Sequence, residues 1–246
     1  MNQIMQNELR SDLATEINGV IDFPMFKCLK PEEISLIEEQ RTQKVYKKGM
    51  VIFSENSQPR GIYLIKEGAI KLFHSNDEGQ VQIIRLARQG ELLGYRALLA
   101  GQPYKGAAET LMDSVLFFIP SQIFFQILHS NHELTLSMLK MLAIDLDDSV
   151  QKGNAMFTKT APERLAETLY WIRNNFGTRE DGAINVLLTR EDLANFAGLA
   201  TETVVRLLHL WESENLLELN KKYIAITNLH LFEDKFSLRK NEPVKW

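Results

Sequence analysis

The spacing of hydrophobic positions changes along the chain. From Val45 to Ile119 they fall in short runs rich in β-branched and aromatic residues: VIFS, IYLI, AIKLF, VQIIRL and VLFFI. Turn signals separate the runs, at Gly49, Pro59-Arg60-Gly61, Glu67-Gly68, Asn76-Asp77-Glu78-Gly79, Gly90 and Gly101. Short, punctuated strands of this kind predict an all-β sandwich or jelly roll. Ahead of them PEEISLIEEQ, residues 31–40, reads as a helix with proline in its first turn, and residues 1–20 as a polar helix. From Ser121 to the residue before Gly153 there is no glycine or proline. The spacing there predicts one long helix. Leu134, Met138, Met141 and Leu142 form a stripe, with Leu139 and Leu146 beside it. That apolar arc is wider than one contact needs, so part can pack on the β domain while part faces a partner helix.

The last third turns to helical spacing. Thr160-Ala161-Pro162-Glu163 carries a threonine cap, an early proline and a capping-box glutamate, which puts the boundary between a β-rich half and a helical half near 153–160. Residues 188–212, LTREDLANFAGLATETVVRLLHLWE, read as two helices around one glycine. Thr189 caps the first with Asp192 three residues on, and Leu193, Ala194 and Ala197 form its inner face. Gly198 falls where a left-handed residue ends a helix. In the second, Val204, Leu207, Leu208 and Trp211 recur at i, i+3, i+4 and i+7, leaving Glu202, Val205, Arg206 and His209 outside. This is a helix-turn-helix pattern. LLEL, Asn220-Lys221-Lys222 and YIAIT follow as a hairpin, a wing whose tip lysines Lys221 and Lys222 suit phosphate contact.

Composition narrows the classes. The 246 residues are 45% hydrophobic and 24% charged, an ordinary globular balance with room for one large domain or two small ones. No apolar run approaches a membrane span, and the polar N-terminus MNQIMQNELRSDLATEI is not a signal peptide. The single cysteine, Cys28, excludes an intramolecular disulfide framework and points to a reducing cytoplasm. Cys28 reads as a small core residue rather than a redox switch. A net charge of −4 gives DNA binding no bulk electrostatic support, so contact with nucleic acid must come from local geometry. A jelly-roll metalloenzyme needs clustered histidines, and His74 is the only one between Val45 and Pro120. Asp145, Asp147 and Asp148 read as a solvated acidic face. A ligand-binding or protein-interaction module whose C-terminal domain no longer binds DNA is the remaining alternative.

The order of elements resembles the catabolite-activator/FNR (Crp/Fnr) family of bacterial transcription regulators over about residues 23–228. At the front, FPMFKCLKPEE followed by YKKGMVIFSENSQPRGIYLIKEGAIKLF carries the likeness. At the back, LTREDLANFAGLATETVVRLLHLWESENLLEL does. The resemblance implies an α+β architecture: an N-terminal β-roll of the cyclic-nucleotide-binding type (23–130) after an extension (1–22), a dimerisation helix (131–156), a winged helix-turn-helix domain (157–228) and a C-terminal extension (229–246). It implies a homodimer joined through Leu134, Met138, Met141 and Leu142, double-stranded DNA as partner, RNA polymerase as a further partner if the protein activates, and no enzyme activity. Glu202 and Arg206 match the pair that reads base edges. Residues i and i+4 share a face, arginine can donate twice to guanine, and glutamate can accept from cytosine. Glu202 can also brace Arg206. Thr201 and Val205 can touch a thymine methyl, and Thr189 and His209 complete the expected interface.

The sensor half departs from the cyclic-AMP pattern. In GYRALLAGQPYKGAAE, residues 94–109, Tyr95 stands where cyclic-AMP binders have a ribose-holding glutamate, and Lys105-Gly106 where they have a phosphate-holding Arg-Ser pair. Lysine lacks the bidentate fork of arginine. The adenine-facing positions fall near Asp148-Ser149. Any ligand of this roll would meet Tyr95, Arg96, Lys105 and Ser149, and the sequence leaves open whether one binds. An iron–sulfur cluster needs several thiolates, and one cysteine cannot supply them. His74, His129 and His132 have no spacing that argues for haem. No cofactor is expected.

Overall fold

A computed structural model describes residues 17–76, 78–220 and 223–238. These form two compact units, residues 17–153 and 154–238.

The first unit is a β-roll of two four-stranded antiparallel sheets. β1 (Thr42–Tyr46), β8 (Ser114–Pro120), β3 (Gly61–Glu67) and β6 (Leu92–Leu93) make one, in that order. β2 (Val51–Phe53), β7 (Ala107–Thr110), β4 (Ala69–Ser75) and β5 (Val81–Arg88) make the other. Side chains alternate across a strand, so β3 serves two cores. Ile62 and Leu64 join Phe117 and Ile119 in a cluster with the helices, while Ile65 joins Leu116, Ile70 and Ala108 in the second. The helices are α1 (Pro31–Gln40), α2 (Tyr95–Ala100), α3 (Ser121–Ser130) and the long α4 (His132–Thr158).

Four expectations need correction. The helix expected to run on from Ser121 breaks at Asn131. There Asn131 Oδ1 accepts from Leu134 N (2.9 Å) and Asn131 Nδ2 donates to Oε2 of buried Glu33 (2.7 Å). An asparagine cap can end one helix and start the next without glycine or proline. The expected dimer stripe is also misplaced. Leu134 and Met138 are 0% and 2% exposed in the roll's own core, and Met141 and Leu142 pack against it. The exposed large apolar positions of α4 are Leu136, Leu139, Ile144, Leu146 and Val150, with Met156 and Phe157 near its end. The expected extension 1–22 is cut short at its end, because Ile17 and Val20 are buried in the same core. Residues 1–16 lie outside the described chain.

The second unit contains α5 (Ala161–Phe176), α6 (Arg190–Ala197), α7 (Thr201–Ser213), an antiparallel hairpin of β9 (Leu217–Asn220) and β10 (Tyr223–Ile226), and α8 (Leu229–Lys235). The fourth correction is here. Residues 229–238 were expected outside the domain, yet the Phe232 and Phe236 rings pack on Trp211 with centroids 5.7 and 4.7 Å away. An aromatic cluster of this size is a main store of burial energy in a small domain, so α8 belongs to the domain it follows.

Candidate functional site

The second unit sets α7 up from its turn outward. At the start of α6 the Thr189 hydroxyl accepts from Asp192 N (2.9 Å) and donates to Asp192 Oδ2 (2.8 Å), and the same carboxylate accepts from Thr189 N (3.1 Å). The Thr189 side chain, expected at the DNA interface, is therefore already engaged in a capping box. Replacing it with alanine is expected to lower stability by about 0.5–2 kcal/mol. Chemical denaturation reads this, and an unchanged midpoint would contradict the assignment.

Gly198 then turns the chain with φ of +65°, a conformation that favours glycine. Arg164 of α5 fixes this turn. One guanidinium nitrogen donates to Gly198 O and another to Met156 O, each at 3.2 Å. Sequence spacing gave no hint of this bridge, because its acceptors are backbone carbonyls that any residue could supply.

On α7 the inner stripe is as the periodicity predicts: Val204, Leu207, Leu208 and Trp211 are all buried. Glu202, Arg206 and His209 are exposed on the other side, and Thr201 and Val205 are half-buried. His209 Nδ1 lies 3.3 Å from Glu212 Oε2. Among the described residues Glu202 and Arg206 form no ion pair with each other, so the bracing expected from their spacing is not present in this structure. Arg206 keeps its planar fork of donors available, the arrangement that suits a guanine edge. No side chain caps the start of α7 at Ala200, so its first N–H groups lack a side-chain acceptor. Such a terminus favours an anion. In the wing, the Arg179 guanidinium sits over the Tyr223 ring at 4.2 Å. Lys221 and Lys222 lie outside the described residues.

In the first unit the expected ligand residues do not converge. Tyr95 is 1% exposed, while Arg96, Lys105 and Ser149 are exposed. The Tyr95 hydroxyl donates to the Asp145 carboxylate on α4 and accepts from Arg85 Nη1 (3.4 Å). Burial raises the Tyr95 pKa well above the ordinary phenol value, and the Asp145 charge adds to it against the opposing pull of Arg85. The phenol therefore stays protonated as a donor. Ser149 spends its hydroxyl on Asp145 O (2.7 Å). At Gly106 an added Cβ would meet Phe73 O at 2.6 Å, so the strand leaves no space for a side chain there. Asp145 and Arg85 were not among the candidates, since nothing in their spacing marks a cross-element contact.

Known proteins match both halves. The Cyclic nucleotide-binding domain family matches residues 43–131, and the Crp-like helix-turn-helix domain family matches residues 163–234. The chain belongs to the Crp/Fnr family of transcriptional regulators. It is 28% identical to the Fumarate and nitrate reduction regulatory protein of Vibrio cholerae over 188 residues, covering 76% of this chain and 75% of the relative. It is 27% identical to Electron transport regulator A of Shewanella oneidensis over 190 residues, covering 76% of each. FixK2 from Bradyrhizobium japonicum has a similar structure, with a TM-score of 0.71 and 21% identity over 79% of this chain and 96% of that one. So does a Crp/Fnr-family transcriptional regulator from Thermus thermophilus, with a TM-score of 0.67 and 23% identity over 80% and 98%. As a Crp/Fnr regulator, the protein is a DNA-binding transcription factor and not an enzyme. Among its described residues no helix is long and apolar enough to cross a membrane.

Proposed function

We propose that the protein works in the cytoplasm as a homodimer that reads a pseudo-palindromic DNA site with Glu202 and Arg206 of each protomer, without cyclic AMP. The observation that carries this reading is the outer face of α7. It presents a carboxylate and an arginine fork one turn apart, both exposed, opposite a fully buried stripe. Arg206 takes guanine, Glu202 takes cytosine N4, and Thr201 and Val205 touch a thymine methyl. His209 lies three residues beyond Arg206, just short of a further turn, and borders the same groove. If the regulator activates transcription, RNA polymerase is its second partner.

The dimer seam is the exposed stripe of α4. Leu136, Leu139, Ala143, Leu146 and Val150 recur at alternating intervals of three and four residues, the a/d spacing of a coiled coil. This replaces the stripe centred on Leu134 and Met138. Two-fold pairing through it would place two recognition helices about 34 Å apart, one DNA turn.

For cyclic AMP the residues do not fit. Tyr95 offers no carboxylate to a ribose and already has a partner in Asp145. Lys105 has no fork, and position 106 has no room for a hydroxyl side chain. Each missing charged hydrogen bond is worth about 1.5–3 kcal/mol. Calorimetry with cyclic AMP is therefore expected to show no binding at micromolar concentration, and micromolar or better affinity would contradict the reading. DNA affinity measured across salt concentrations tests the interface itself. A steep fall with salt is expected for phosphate contacts, and a flat response would oppose it.

A further inference from the structure

Four elements of the β-roll unit meet in one polar relay. Arg85 lies on β5, Glu91 in the turn after it, Tyr95 at the start of α2 and Asp145 on α4. Arg85 Nη2 pairs with Glu91 Oε2 at 2.6 Å, while Arg85 Nη1 donates to the Tyr95 hydroxyl at 3.4 Å. That hydroxyl in turn donates to Asp145 Oδ2. Two turns further along α4, Lys152 Nζ donates to Ile84 O on β5 at 3.1 Å. Met138, Asp145 and Lys152 recur every seven residues, so one side of α4 is held to the roll first by apolar packing and then by these polar contacts. The opposite stripe, from Leu136 to Val150, is left for the partner.

We propose that the Arg85–Tyr95–Asp145 relay is a built-in latch. It does with protein side chains what a ligand bound between roll and helix would do, and so keeps α4 in its DNA-binding arrangement with no small molecule present. The polarity supports this. Glu91 holds one side of the Arg85 fork, so the guanidinium is oriented toward Tyr95. Tyr95 is packed in the core, so its hydroxyl has one direction to point. A charged acceptor on a separate element completes the chain, and hydrogen bonds to charged groups are the strong ones. A protein whose binding-competent form is only partly populated binds with affinity reduced by that fraction. Loosening the latch therefore weakens DNA binding without touching α7. The inference rests on the DNA-binding dimer proposed above.

The test uses the full chain as wild type, Tyr95→Phe, Asp145→Asn and the double variant. Tyr95→Phe keeps the buried ring, and Asp145→Asn leaves the core untouched, so each checks the other against a folding defect. Amide hydrogen exchange of residues 143–152 and DNA affinity without added nucleotide are measured together. Each single variant is expected to speed exchange and weaken DNA binding by about tenfold, the change that follows the loss of one charged hydrogen bond. The double variant should be no worse than either single, because the two share one interaction. Unchanged exchange in both singles with normal wild-type DNA binding overturns the latch and leaves the regulator standing. Faster exchange with unchanged DNA affinity also overturns the latch, since its link to DNA is the claim. A wild type that binds no DNA without a nucleotide is a distinct outcome that overturns the effector-free regulator itself, and the latch falls with it.

Discussion

Replacing Arg206 with alanine is expected to cost about 1–3 kcal/mol at each half-site and to flatten the preference for guanine at one position there. The reason is geometric. Arg206 is exposed opposite Val204, Leu207, Leu208 and Trp211, so removing its side chain leaves that packing intact. With no ion pair to Glu202, its loss strands no buried charge and breaks no local bridge. Stability should therefore hold while specificity falls. Specificity profiles of the wild type and Arg206→Ala, read beside their thermal unfolding, separate the two effects. An intact guanine preference would move the reading role to Thr201, Val205 or His209.

Replacing Leu146 with glutamate is expected to abolish dimerisation and leave the β-roll folded. Leu146 is 67% exposed in the protomer, so the roll loses almost nothing. At a two-fold seam the same change occurs twice. Losing the burial of two leucines costs roughly 3–6 kcal/mol, and two buried carboxylates facing each other add to that. Leu134→Ala should do the reverse. Leu134 is fully buried in the roll, and its truncation should lower stability by about 2–5 kcal/mol while the seam stays intact. Sedimentation and denaturation of the two variants decide between the stripes. A dimeric Leu146→Glu protein would contradict the assignment of the seam.

Those two leucines also show what the sequence could and could not reveal. Both lie on apolar arcs of one helix, and periodicity finds arcs without saying which surface each will meet. Leu134 is claimed by the roll because it shares one buried cluster with Phe23, Phe26, Leu98 and Phe124, a set assembled from distant segments. Where the determinants are local, the reading holds. The β-roll texture between Val45 and Ile119, the Thr189 cap, the Gly198 turn and the inner face of α7 all follow from turn chemistry and period, and the structure has each of them. Tyr95 stands between these cases. Its departure from the cyclic-AMP pattern was visible in the sequence, but its bond to Asp145, fifty residues away, was not. The acidic run from Asp145 to Asp148 was read as a solvated face, and one member of it, half-buried Asp145, proves to be the end of a relay to buried Tyr95. Asn131 carries no breaker signal, and its capping role depends on Glu33 from another helix.

The protein is proposed here as an effector-free, dimeric reader of DNA. That role is tested most directly by selecting binding sites from a random DNA library with the purified protein and no added nucleotide. The expected result is enrichment of a pseudo-palindrome with one guanine in each half and half-site centres about 10 base pairs apart. Selection of no sequence, or of a lone half-site without its symmetric partner, would contradict it.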